Sequence, residues 1–384
     1  MKATIHLLFL AVLSLMVMTG PGTVYGQGSG YEFNEQVRLP ATSVKNQGNS
    51  GTCWSYATLS FLESELLRKE RGRYDLSEMY IVREAYLDRA ELYVRFHGHL
   101  NFGPGAQAWD VLHVMDKEGL VPQKAYPGEQ KAGGLPRHGQ MDAVLQAYMQ
   151  EVIKNHNDRL SSSWKEGFRG ILDAYLGDAP GKFQVEQNTY EPHKFVNSLG
   201  LDPADYMPVT SFENHDFYDW YVFESPDNWS MEQIFNVPLD ELVRIVEHSL
   251  EQGYSVAWAA DVTNPGFNFG KGLAVLPQKS WQEMDAYEQS QVFEHPVKQQ
   301  AVTMDMRQRD FDQYATTDDH LMHITGMAED QNGTRYFIVK NSHGSANPYQ
   351  GYLYVSRAYF RLKTTSLLIN RESLPSDIAG QTGK

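Results

Sequence analysis

The chain is short of cysteine: Cys53 is the only one among 384 residues. No internal disulfide can form, so the fold has to rest on its hydrophobic core. There is no cysteine cluster and no HExxH run, so nothing points to a metal, and no cofactor is expected. Cations are scarce too, 33 against 48 acidic residues, for a net charge of −15. That balance speaks against nucleic acid or an anionic membrane surface as a partner. The sequence shows no internal repeat and no low-complexity tract. Only one stretch is strongly apolar, Leu7 to Met18. It follows Lys2 and precedes Val24 and Gly26, the layout of a secretory signal over residues 1–26. The run is too short for a convincing membrane span. The expectation is an exported protein, periplasmic or secreted, without stable membrane insertion once the signal is removed. An unpaired thiol is a liability in an oxidising compartment, which argues that Cys53 is retained for a purpose.

What is present is organised around Gln47-Gly48-Asn49-Ser50-Gly51-Thr52-Cys53-Trp54. From Trp54 onward, Ala57, Phe61, Leu62 and Leu66 fall at helical spacing, so a buried helix is expected to begin at Cys53. Ser50 and Thr52 are candidate caps. A thiol in the first helical turn meets the positive end of the peptide dipoles, which favours thiolate. Gln47, six residues upstream, can aim an amide N–H at the same centre. A nucleophile beside a preorganised donor is what acyl transfer requires. A lone cysteine is more often an inert core filler, and only its company argues otherwise.

The rest reads as two lobes. Residues 27–135 give a polar lead-in followed by helices at 53–72, 76–97 and 106–119. Residues 136–253 read as a largely helical insertion, with 201–237 irregular and rich in aromatics. Residues 254–384 read as a mainly antiparallel β-lobe, with strands near 254–262, 320–328, 335–341, 351–356 and 366–370. The stretch 263–318 interrupts it without a clear pattern. The expected class is α+β, one two-lobed domain over 27–384 with Cys53 in the cleft.

Gln-x5-Cys-Trp at a helix start, a later histidine on a strand, and Asn-Ser after another strand together resemble the papain-like cysteine peptidases. The residues are Gln47, Cys53-Trp54, His320 and Asn341-Ser342, with Gly326 six after the histidine. The inserted regions, the run Thr316 to His320 and the segment Tyr336 to Gly344 look like the bleomycin hydrolase and aminopeptidase C branch, in particular its exported bacterial members. The resemblance implies a papain-like fold and a peptidase acting on peptides, with aminopeptidase action foremost. It implies Cys53 as nucleophile, His320 as acid and base, Asn341 as the residue orienting His320, and Gln47 as oxyanion donor. It places Gly105 and Ala106 where the substrate backbone is paired, although an ordinary interhelical turn explains Gly103 to Ala106 almost as well. A hexameric ring is implied on the same footing. Asn341 alone would read as a turn residue. His320 and His323 fall on opposite faces of a strand and should not form a metal pair. Trp109, Trp164 and Trp220 read as core.

Two departures stand out. His343 occupies the place where the branch has a tryptophan covering the Asn–His bond, so that bond should be wetter and more sensitive to pH. The residues from Leu374 to Lys384 lack the apolar ending of the tail that, in this branch, enters the cleft and meets the substrate's amino group. Two alternatives therefore stay open: an endopeptidase with an open cleft, and an inactive peptide-binding homologue.

Overall fold

The computed structural model describes residues 23–25, 30–128, 134–154 and 159–383. Apart from Thr23–Tyr25, the expected signal segment lies outside them.

Strands β1 (Thr23–Tyr25) and β2 (Glu32–Arg38) pair antiparallel. The lead-in is thus not merely polar: Tyr31 and Phe33 are fully buried beneath it. Helices α1 (Cys53–Arg68), α2 (Glu78–Arg95) and α3 (Ala108–Lys117) follow. α1 is buried from Trp54 to Leu66 because other elements cover it on every side. Ser77 caps α2 by accepting the N–H of Tyr80, and Asp110 of α3 accepts the N–H of Gln107 at 2.8 Å. The caps expected at Ser50 and Thr52 do not form. Thr52 sits at the cap position, but its hydroxyl meets Ser50 Oγ at 2.6 Å instead of a helix N–H. Helices α4 (Gly139–Ile153) and α5 (Ser163–Leu176), a hairpin of β3 (Phe183–Val185) and β4 (Asn188–Tyr190), and helix α6 (Pro192–Leu199) complete the helical part.

The stretch 201–237 is not irregular. It carries β5 (Tyr206–Thr210), β6 (Trp220–Val222) and β7 (Gln233–Asn236), so the expected insertion at 136–253 is helical only in its first half and in α7 (Leu239–Glu251). β5 was hidden because all five of its residues are buried, which removes alternation, and because Pro208 interrupts the strand signature. Next come β8 (Val256–Ala260), then β9 (Phe267–Asn268), β10 (Leu273–Ala274), α8 (Ala286–Gln291) and α9 (Met304–Asp312) inside the long interruption. The chain continues with β11 (His320–Asp330), β12 (Arg335–Lys340), β13 (Tyr352–Ser356), α10 (Arg357–Lys363), β14 (Thr364–Asn370) and α11 (Ser376–Ala379).

Among the described residues, twelve strands form one sheet in the order β6-β7-β5-β14-β8-β11-β12-β13-β10-β9, with β2 on β11 and β1 on β2. It is not purely antiparallel, since β5–β7 and β10–β13 run parallel. One face at its centre (Ala257, Ala259, Leu321 and Leu368) shares a core with Trp54, Ala57 and Phe61 of α1. The opposite face (Trp258, Ala260, Met322 and Ile324) packs with Leu242 and Val246 of α7 and with Phe360 of α10. A sheet covered on both faces reads as a continuous apolar run, and β8, Val-Ala-Trp-Ala-Ala, does so. The architecture is α+β, with the nucleophile helix laid across the sheet.

Gly326 shows how tightly β2 and β11 approach. A Cβ there would collide with the carbonyl oxygen of Val37 and crowd Ile338. Gly326→Ala is expected to lower unfolding stability by about 1–3 kcal/mol through overpacking, read as a lower denaturant midpoint at unchanged slope.

Candidate active site

The loop before α1 and the segment after β12 are laced together. Gln47 N–H donates to Ser342 O at 2.8 Å, and Gly344 N–H to Lys45 O at 3.0 Å. Gln47 is buried and held at both ends of its amide: Nε2 donates to Ser50 O at 2.8 Å, while Oε1 accepts from Ser342 Oγ at 2.5 Å. An amide nitrogen carries two hydrogens, so one remains beyond the Ser50 bond. Trp54 Nε1 donates to Pro104 O at 2.9 Å, tying the nucleophile helix to the Gly103–Ala106 loop. The buried Arg89 donates to the carbonyls of Gly103 and Gly105 from behind.

Cys53, at the first position of α1, and His320, at the first position of β11, line one cleft of about 440 Å³. Gln47, Gly105 and Ala106 line it as well, so five of the six predicted site residues meet there. The sixth, Asn341, stands behind His320: its Oδ1 accepts from His320 Nε2 at 2.8 Å and from the Ser342 N–H at 2.7 Å. Two donors on Oδ1 fix the orientation of the amide. They also place the imidazole proton on Nε2 and leave the Nδ1 lone pair as the basic site. Asn341 Nδ2 is buried without a hydrogen-bond partner among the described residues, so the bond to His320 is kept at a cost. His323, on the opposite face, bonds Ser60 Oγ through Nδ1 at 2.9 Å and does not meet His320.

His343 does cover its neighbour. Its ring lies parallel to that of His320, with centroids 5.1 Å apart and planes at 14°, and Phe269 packs edge-on behind it. Burial pushes the His320 imidazole down to about 4, opposed by the bond to Asn341 and assisted by repulsion from His343. Burial also pushes the Cys53 thiol up to about 12, with Asp318 and Asp227 adding to the rise. Desolvation thus acts against the helix terminus that the sequence suggested would favour thiolate. Both shifts favour the neutral forms of the two groups.

Asp227 and Asp318 line the same cleft, and the sequence had suggested no role for either. Asp318, two before His320, accepts from Ser225 Oγ at 2.7 Å and from the side chain of Gln107; burial raises it to about 6. Asp227 accepts from Asn101 Nδ2 at 2.9 Å, and burial raises it as well. The position of Asp318 beside His320 was a usable signal. Asp227 had none, because it sits in the loop between β6 and β7.

Comparison with known proteins gives two family matches, the peptidase C1-like family over residues 173–383 and the papain family cysteine proteases over residues 32–166. Aminopeptidase G of Lactobacillus delbrueckii subsp. lactis is 22% identical over 89% of this chain and 84% of its own length. Mouse bleomycin hydrolase is 23% identical over 92% of this chain and 85% of its own. The crystal structure of PepW from Lactobacillus rhamnosis superposes with a TM-score of 0.71 at 18% identity, covering 90% of this chain and 84% of that one.

The imidazole must be neutral to accept a proton, so a His320 lowered to about 4 stays competent down to that pH. The acid limb of kcat/KM is expected near pH 4. His343→Gln removes a neighbouring positive charge and part of the cover, both of which hold the value down, so the limb should move upward. A pH–rate profile on both proteins checks this.

Proposed function

The chain belongs to the peptidase C1-like family of cysteine peptidases, and on that premise we propose that it releases N-terminal residues from peptides. The observation that carries the chemistry is the 2.8 Å bond between His320 and Asn341 in a cleft shared with Cys53. The relatives named as aminopeptidases support the exopeptidase reading.

In this reading Cys53 Sγ attacks the carbonyl carbon of the first residue while His320 Nδ1 takes the thiol proton. The carbonyl oxygen becomes an oxyanion facing the remaining Gln47 amide hydrogen and the Cys53 N–H. The tetrahedral centre collapses, the C–N bond breaks, and imidazolium returns the proton to the leaving amine. Water, deprotonated by His320, then attacks the thioester carbon and releases the free amino acid and the thiol. Asn341 holds the ring through both half-reactions. The apolar run Leu7 to Met18 after Lys2 supports export of the protein, the site of action we propose.

An endopeptidase is the second reading, favoured by one observation: none of residues 371–383 lines the cleft. Arg244 of α7 holds Asp377 at 2.6 Å, and Trp220 Nε1 donates to Thr382 O at 2.9 Å, so this segment lies along α7 and β6.

Fluorogenic aminoacyl amides and their N-blocked peptide counterparts, assayed under reducing conditions, separate the two. The expected result is turnover from free N-termini only, abolished in Cys53→Ala. Gln47→Ala is expected to lower kcat about a hundred- to a thousandfold with little change in KM. Equal cleavage of blocked peptides would select the endopeptidase. No turnover from a folded protein whose Cys53 resists iodoacetamide would leave a peptide-binding homologue.

A further inference from the structure

Release of N-terminal residues requires that something recognise the substrate's amino group. An α-ammonium entering a desolvated cleft needs an anion, because burying an unpaired charge is costly. Residues 371–383 supply none there, since they lie along α7 and β6. The cleft has anions of its own. Asp227, from the β6–β7 loop, reaches over the Gly103–Ala106 loop. Its carboxylate occupies the space that a Cβ on Gly105 would need, so it lies directly against the Gly105 backbone. One carboxylate oxygen accepts from Asn101, and the other lies against Gly105.

Gly105 is thereby closed to a passing peptide twice over. Its carbonyl, like that of Gly103, is turned away to the buried Arg89, and the carboxylate of Asp227 stands on its open side. An extended chain running past this point would have to displace a charged group. A chain that stops here, with its ammonium facing the carboxylate, would not. Asp318 lines the same cleft, fixed by Ser225, Gln107 and Thr365. Both carboxylates act electrostatically on the thiol of Cys53, and Asp227 on Asp318. The nearby cation, Arg89, spends its terminal nitrogens on the two carbonyls and acts on Asp227 only through its charge, without a hydrogen bond to it. The independent sign that a ligand belongs here is the Cys53–His320 pair, which fixes where a substrate carbonyl must sit in this same cleft.

We propose that Asp227, supported by Asp318, binds the α-ammonium of the substrate and closes the cleft beyond the first residue, making Asp227 the determinant of exopeptidase action. This rests on the aminopeptidase reading above and names the group responsible for it.

The test is a cycle of protein and substrate changes. Wild type, Asp227→Asn and Asp318→Asn are each assayed with an aminoacyl amide, its N-acetyl form, and the desamino analogue with hydrogen in place of the amino group. The Asn side chain keeps the shape and can still accept from Asn101, and thermal unfolding with Cys53 alkylation verifies the fold. In the wild type alone, the desamino analogue should bind about ten- to a hundredfold more weakly than the free amine, the worth of a charge-assisted bond. In Asp227→Asn that difference should largely vanish: KM for the free amine rises by the same factor, kcat changes little, and the N-acetyl form is accepted better than by wild type. A wild type selective for free amines whose preference survives both substitutions overturns the role of Asp227 and leaves the aminopeptidase reading standing. Equal loss on free, acetylated and desamino substrates also overturns it, because that pattern marks a structural residue. A wild type that cleaves free and acetylated substrates alike removes the aminopeptidase reading, and this proposal with it.

Discussion

The seating of α1 on β11 and β12 is the constraint on which the rest of the molecule depends, and a buried polar network sets it. Lys340 Nζ, the last residue of β12, donates to Ser60 Oγ of α1 at 2.7 Å and to Thr42 Oγ1 at 3.1 Å. Ser60 also bonds His323 of β11, while Thr42 donates to Glu63 of α1 at 2.5 Å. Lys45 and Glu78, 2.5 Å apart, close the network towards α2. Burial and nearby Lys45 hold Lys340 down to about 8, and burial holds Glu78 up to about 7, against their neighbours' opposing charges. Removing one partner of such a buried set leaves an uncompensated charge, a loss of about 3–5 kcal/mol. Cys53 is carried by α1, His320 by β11 and Asn341 follows Lys340 directly, so a shift at this interface would misplace all three.

The electrostatics of the cleft follow from the same burial. A helix terminus favours thiolate by a modest amount, typically below about 1 kcal/mol. Burial of the thiol and the two carboxylates act in the opposite direction. The imidazole is also held neutral, and its tautomer is set by the amide of Asn341. His343 adds a flat ring over His320, a cover that can also carry charge. The pair is thus shielded, but by a group whose own protonation bears on the imidazole.

Much of this was legible in the sequence, for identifiable reasons. The helices from α1 to α5 carry periodic apolar faces, and β11, β12 and β13 are separated by turn residues. Gln47, Cys53 and Trp54 announce a loop-to-helix junction, whereas His320 and Asn341 were singled out through the resemblance to the papain-like peptidases. What escaped was contact made by the tertiary fold. β5 is buried throughout and contains Pro208, so it offers neither alternation nor a clean strand composition. β2 reads as polar because only one of its faces is covered. The caps at Ser50 and Thr52 were lost to a hydroxyl pair that serves Gln47 instead. Asp227 meets Gly105 across a large separation in sequence, and no local pattern reports such a pairing.

The most direct test of the account is to trap the acyl-enzyme. The protein would be mixed with an activated aminoacyl ester, quenched in acid within milliseconds, and its mass and peptide map recorded. The account predicts one aminoacyl group per chain, on Cys53, formed faster than it is lost and strongly slowed in His320→Ala. An acyl group on another residue, or turnover with no adduct at any time, would contradict it.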